Sequence, residues 1–252
     1  MKLLTVARDL KRRRARERHT RFVAEGVRAV EELLRSPVRS DGAIVSPALA
    51  ATPRGTALLE SVRASGMPVI EVDEKDFASA SSTDSPQGIL VVAEIPPRDA
   101  RQLALRAGAR VLVLDGVQDP GNVGTLLRTA AAFGVDVTLA MPDTVDLWNA
   151  KVVRSAMGAL FRHQVLACDW ELFDGLRAAH RMQCWAADAS GEFIDRTPDT
   201  RTIALLVGNE GAGLSNEARA RADRRVAIPI APDVESLNVA VAAGILLYQL
   251  RP

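Results

Sequence analysis

Cysteine and histidine are scarce in this chain, with two of the first and three of the second among 252 residues. Cys168 and Cys184 fit no metal-ligand spacing, and His19, His163 and His180 are scattered, so no zinc site is expected. No apolar run approaches the length that crosses a bilayer, which argues against a membrane partner. No cleavable signal sequence opens the chain, although its basic start is also compatible with an organellar presequence. A reduced, cytoplasmic protein is the default expectation. Internal repeats and long low-complexity segments are absent as well. The length suits one large domain or two smaller ones.

Neither sign of charge dominates, since the net charge is +1, but the average conceals an asymmetry. Residues 1–40 hold twelve Lys/Arg against five Asp/Glu, and the remainder holds twenty against twenty-six. Such polarity points to a polyanionic partner approached from one end. The densest cluster is Arg8, Lys11, Arg12, Arg13, Arg14, Arg16, Arg18 and Arg21. Arginine outnumbers lysine there, and its planar fork suits phosphate oxygens, so Arg12, Arg13, Arg14, Arg18 and Arg21 are candidate nucleic-acid contacts. The competing reading is a solvated, partly disordered leader.

Short apolar segments at Gly42–Val45, Val69–Val72 and Gly88–Ala93 alternate with helical patterns through Val30–Leu34, Thr56–Ala64 and Glu74–Ala80. This predicts a small α/β unit over residues 1–95. Pro96 and Pro97 open a stiff linker over 96–106. From there to residue 252 apolar strands alternate with helices, the pattern of a mostly parallel sheet covered on both faces. The expected strands are Val111–Leu114, Val135–Ala140, Val165–Ala167, Cys184–Ala187, Ile203–Val207 and Val226–Ile230. Ligands of such sheets bind beyond the carboxyl ends of the strands. Those ends are Asp115–Gly124, Gly208–Leu214 and Ala231–Asn238.

The first of these loops spaces Gly116 and Gly121 like a phosphate cradle, but Asn122-Val123 stands where Lys-Ser/Thr is required, which disfavours an NTPase. Asn122 and Arg128 share a helix face only if Asn122 lies at the helix start; otherwise Asn122 is a cap and Arg128 a surface charge. In the second loop, Gly208-Asn209-Glu210-Gly211-Ala212-Gly213, glycines permit close backbone approach to a ligand. The G-x-G-x-x-G order of dinucleotide loops is missing. Glu210 is free to hold Arg128, to hold Asn122, or to remain solvated. The third loop places Ser236 and Asn238 where the last helix begins, at the position of capping residues.

Asn122 with Arg128, Gly208-x-Glu210-x-x-Gly213, and Glu235-Ser236-Leu237-Asn238-Val239 together resemble the SpoU (TrmH-type) class of RNA ribose methyltransferases within the SPOUT superfamily. The resemblance spans roughly residues 108–252, and residues 1–95 look like the substrate-binding domain that accompanies many of these enzymes. It implies an α/β catalytic domain of residues 107–252 containing a trefoil knot, a homodimer, and S-adenosylmethionine as methyl donor. The donor would contact Gly208, Ile228 and Leu237, with Leu206 and Asn209 nearby. Asn122, Arg128, Glu210, Ser236 and Asn238 become the catalytic set, and the acceptor a ribose 2′-hydroxyl of RNA. In the family the equivalent of Arg128 is proposed as a base; its persistent charge favours an electrostatic and phosphate anchor instead. Pro232 stands where the family usually has glycine, removing one backbone N–H. Ribosomal RNA is the favoured substrate, with transfer RNA or a non-catalytic role in ribosome assembly as the alternatives.

Overall fold

The computed structural model describes residues 2–194 and 200–251. The chain divides into two compact units, Met1–Pro97 with Asp146–Arg162, and Arg98–Val145 with His163–Pro252. The first unit opens with α1 (Lys2–Asp9) and α2 (Arg13–His19), followed by β1 (Arg21–Glu25), α3 (Val27–Leu34), β2 (Ser40–Val45), α4 (Pro53–Ala64), β3 (Val69–Glu71), α5 (Glu74–Ala80) and β4 (Ile89–Glu94). The basic leader is thus folded, not a solvated tail. Leu4 and Ala7 of α1, with Leu10 just beyond it, recur at helical spacing and pack into a cluster with Val23, Ile44, Phe77 and Leu90. The arginine density hides this apolar face. The four strands form a mixed sheet in the order β1-β4-β2-β3. β1, which the pattern of Phe22–Ala24 alone does not announce, pairs antiparallel to β4 from Arg21↔Glu94 to Glu25↔Leu90.

The second unit begins with β5 (Arg110–Asp115), α6 (Pro120–Ala132) and β6 (Val137–Ala140). The following segment, Asp146–Arg162, carries α7 (Ala150–Ser155) and α8 (Ala159–Arg162) and is built into the first unit, although the expected boundaries put it in the second. Trp148 and Phe161 pack against Phe22 with ring centroids 4.6 and 5.8 Å away. Arg16, 5 % exposed, donates from Nε to Asp146 at 2.7 Å across 130 residues of sequence. Arg162 pairs with Glu32 at 2.6 Å. Conversely, much of the expected linker belongs to the second unit: Ala100 and Leu103 enter its core, and Arg98 donates to the His163 carbonyl at 3.0 Å.

The rest of the second unit is β7 (Val165–Ala167), α9 (Trp170–His180), β8 (Gln183–Phe193), β9 (Ile203–Gly208), α10 (Asn216–Arg221), β10 (Arg224–Ala227) and α11 (Val239–Leu250). Its six strands run in the order β10-β8-β9-β5-β6-β7, and every neighbouring pair is parallel. All residues of β5 and β9 are buried, as expected where helices cover both faces of a sheet. The register sets Asp115 beside Gly208 and Ala186 beside Leu206. The carboxyl ends of β5 and β9, and Asp188 two residues past Ala186, therefore come to one edge of the sheet.

Candidate active site

α6 starts where it does because Pro120 fills its first turn and Asp119 caps it, accepting from the Asn122 N–H at 2.7 Å. Asn122 is therefore not the cap, and its side chain is free for other work. Asn122 Nδ2 donates to Glu210 Oε1 at 3.0 Å, and Asn122 Oδ1 accepts from Asn238 Nδ2 at 2.9 Å. Asn238 in turn caps α11, its Oδ1 accepting from the N–H groups of Ala240 and Val241 at 2.9 and 3.3 Å. One relay of three side chains thus ties the three loops together. Its direction is fixed at both ends: a carboxylate only accepts and a backbone N–H only donates, so each amide has a single workable orientation.

Glu210 is the fixed point of the relay. Besides Asn122 it accepts from the backbone N–H groups of Gln118 at 3.2 Å and Asp119 at 3.1 Å. Burial acts to raise its pKa, but these donors outweigh it and hold the carboxyl below its ordinary value. The loop that carries Glu210 is closed by Asn209. Its Oδ1 accepts from Gly211 and Ala212, its Nδ2 donates to the Gly116 carbonyl at 2.9 Å, and its backbone exchanges two 2.9 Å bonds with Gly213. Gly208 has no substitute at this point, since a Cβ there would lie 2.3 Å from the Gly213 carbonyl carbon. Asp115, buried at the end of β5, accepts from the Ser215 N–H at 2.6 Å and fastens the far side of the same loop.

Around these loops lies a cavity of about 480 Å³. Gly208, Asn209, Glu210, Ile228, Ser236, Leu237 and Asn238 all line it, together with apolar groups such as Val207, Val226 and Leu246. Leu206 does not: it is buried in the core with Val111 and Phe173. Pro232 finds a structural reason, standing second in a turn closed by the Val234 N–H on the Ala231 carbonyl at 3.0 Å, a position proline favours. Arg128, two turns along α6 from Asn122, is exposed and has no hydrogen-bond or ion-pair partner among the described residues. Glu210 holds Asn122, not Arg128.

The sequence reading overlooks Asp188, which lines the cavity from the middle of β8, two residues past its last pair with β9. Ser190 donates to its Oδ1 through both N–H (2.9 Å) and hydroxyl (2.8 Å), and these bonds hold the carboxyl below its ordinary pKa, with Arg225 and Arg219 adding to the effect. A lone Asp-x-Ser within a strand gives no motif by which to find it.

The candidate RNA arginines belong to the first unit. Arg12 and Arg18 both engage Asp9, Arg13 pairs with Glu17 at 2.8 Å, and Arg21 bridges Asp41 and Glu94. Arg14 is exposed and unpaired among the described residues. Surface ion pairs of this kind add little to stability.

Known proteins share both halves of this arrangement. The model of the SpoU rRNA Methylase family matches residues 109–248, and that of the MRM3-like substrate binding domain matches residues 5–91. The 23S rRNA (guanosine(2553)-2'-O)-methyltransferase RlmP of Bacillus subtilis is 34% identical over 97% of this chain and 94% of its own length. A 23S rRNA (guanosine-2'-O-)-methyltransferase RlmB of Ralstonia nicotianae is 33% identical over 89% of this chain and 92% of its own. Among solved structures, the SpoU methyltransferase AviRb of Streptomyces viridochromogenes, in complex with AdoMet, superposes with a TM-score of 0.86 at 27% identity, covering 98% of this chain and 96% of that one. An AdoMet-bound rRNA methyltransferase of Sinorhizobium meliloti gives 0.83 at 30% identity, covering 98% and 93%. With its three loops joined by side-chain hydrogen bonds at one sheet edge, this chain belongs to the SpoU rRNA methylase family.

Proposed function

We propose that this protein transfers a methyl group from S-adenosylmethionine to a ribose 2′-hydroxyl of ribosomal RNA, in the cytoplasm, as a homodimer whose catalytic domain is a trefoil knot. The observation that carries the reading is the bridge from Glu210 through Asn122 to Asn238, which unites three segments up to 116 residues apart in sequence at the mouth of one cavity.

The cavity suits the donor. Its volume is that of a nucleoside-sized site, and its wall of backbone edges and aliphatic side chains, broken by a few polar groups, is the usual lining of such pockets. Gly208, Asn209, Ile228 and Leu237 would hold S-adenosylmethionine there, which supplies a methyl group already activated on a sulfonium. The chain's own contribution is mostly positional. Asn122 and Asn238, locked in one orientation, present a fixed polar surface beside the cavity, and Ser236 adds a hydroxyl to its lining. Arg128, exposed and uncommitted, serves as the cation that engages an RNA phosphate and stabilises negative charge developing on the ribose oxygen. The hydroxyl proton goes to solvent or to the RNA itself.

The partner of the dimer would be a second copy seated on α6 and α11. Val241, Ile245 and Tyr248 stand one turn apart on α11 and remain 52%, 36% and 51% exposed, an apolar stripe that a monomer has no reason to keep. The stripe ends at Asn122 and Asn238, which line the same groove, so a second copy docked there completes the active site.

Arg128→Ala and Asn122→Ala test the assignment. Each is expected to lower methyl transfer to unmodified 23S rRNA by at least about 100-fold, the typical loss when one positioned transition-state donor is removed, while calorimetric affinity for S-adenosylmethionine stays within a few-fold. Near-full turnover in Arg128→Ala contradicts the role given to that residue. Faster methylation of transfer RNA than of 23S rRNA by the unaltered protein contradicts the substrate.

A further inference from the structure

The lining of the donor cavity carries a consistent sign. Among the described residues its ionisable side chains are Asp188 and Glu210, both carboxylates held below their ordinary pKa, and none of the described lining residues is Lys, Arg or His. Arg219 and Arg225, whose charges act on Asp188, are exposed and line a neighbouring cavity of about 520 Å³ on the α10 and β10 side, together with Arg224 and Asp223; Arg219 also reaches the donor-cavity wall at Gly213, where a Cβ would lie 3.6 Å from its guanidinium. Asp188 lines both spaces. The two carboxylates differ in how far they are committed. Both oxygens of Glu210 are engaged, Oε1 by Asn122 and Asp119 and Oε2 by Gln118 and Asn209. Asp188 is bonded only through Oδ1, to Ser190; its Oδ2 has no hydrogen-bond partner among the described residues.

We propose that Asp188 makes the donor cavity charge-selective, favouring the cationic sulfonium of S-adenosylmethionine over the neutral thioether left when its methyl group is gone. The inference rests on the donor reading given above. Donor and product share adenine, ribose and amino-acid groups, and they differ by one methyl group and one positive charge. An uncommitted carboxylate oxygen in a cavity with no cation among its described lining residues responds to that difference, because opposite charges attract more strongly where water is partly excluded. Methyl transfer to a ribose oxygen releases the hydroxyl proton and discharges the sulfonium. The attraction to Asp188 then disappears, and product leaves more easily. Glu210 adds to the field, but its position in the relay makes it a poor probe; Asp188 is the residue to alter.

The test is calorimetric titration of the full-length protein with three ligands: S-adenosylmethionine, its neutral thioether product, and an analogue with a protonated amine in place of the sulfonium. The unaltered protein is expected to bind both cationic ligands several-fold more tightly than the thioether. Asp188→Asn keeps an acceptor for Ser190 and nearly the same shape. It should weaken both cationic ligands about ten-fold and the thioether less than two-fold, while Asp188→Glu retains most of the preference. A unchanged melting temperature for Asp188→Asn confirms that the fold is intact. If Asp188→Asn weakens all three ligands equally, the carboxylate serves a group they share, and the proposal is overturned. It is overturned equally if none of the three affinities moves. An unaltered protein that binds none of these ligands overturns the donor reading beneath it.

Discussion

At the scale of single residues, side chains of one type take opposite roles according to what surrounds them. Of the three histidines, His163 is buried against Thr138, with Nε2 and Oγ1 2.8 Å apart, and burial together with the charge of Arg98 lowers its pKa from 6.5 to about 4. It stays neutral in the fold. The unfolded chain takes up that proton below about pH 6.5 and the folded one only below about 4, so unfolding binds a proton throughout the interval. Stability should therefore fall as pH drops from about 6.5 to about 4 and level off below, by on the order of 3 kcal/mol from this group. Denaturant midpoints measured across that range should show the loss in the unaltered protein and a flatter dependence in His163→Gln. Equal slopes in the two proteins contradict the assignment. Among the arginines the contrast is as sharp: Arg16 is buried on Asp146 and structural, whereas Arg128 and Arg14 face solvent unpaired among the described residues. Composition alone does not separate these roles, because each is decided by partners distant in sequence.

At the scale of elements, the loop after β9 is the part with least freedom. A Cβ on Gly208 would meet only backbone of Gly213 and Leu214, at 2.3–2.4 Å, and no side chain there can swing aside. Gly208→Ala should force the loop open, abolish calorimetric binding of S-adenosylmethionine and leave the first unit folded; retained affinity contradicts this account of the loop. The strands of the second unit are legible in the sequence because they are continuous apolar runs, and the ends of β5 and β9 locate their loops; β10, however, ends at Ala227 where Ile230 is expected, and β8 runs on to Phe193 where Ala187 is expected. β1 is not, since Phe22–Ala24 is a short run between Arg21 and Glu25 whose pairing with β4 is a long-range event. α1 escapes notice because Arg8 and its basic neighbours outweigh Leu4, Ala7 and Leu10 in any local average. Residue roles within the loops were only partly legible. Asn122 and Asn238 announce themselves by position and motif, but which one caps a helix and which bridges is decided by Asp119 taking the first cap. Leu206 looks like a lining residue by proximity to Gly208, yet it is buried in the core, one residue short of the cavity wall that begins at Val207.

At the scale of the whole molecule, the chain builds two units from four pieces of sequence. Asp146–Arg162 interrupts the second unit between β6 and β7, yet supplies Trp148, Phe161 and Asp146 to the first. No composition shift marks that excursion. The proposed dimer belongs to this scale. Tyr248→Asp combined with Val241→Asp places two charges on the exposed stripe of α11 and should yield a monomer by sedimentation, with methyl transfer reduced at least ten-fold and the fold of each unit kept. A monomer that methylates RNA at the unaltered rate contradicts completion of the site by a second copy.

The central claim is that the Glu210–Asn122–Asn238 relay and Arg128 direct methyl transfer to a sugar oxygen. Unmodified 23S rRNA should be incubated with the full-length protein and S-adenosylmethionine, digested to nucleosides, and the methylated nucleoside identified by mass spectrometry. The account predicts a single nucleoside with the added mass on the ribose and none on the base; a methylated base, or RNA left unmethylated by protein that binds the donor, would contradict it.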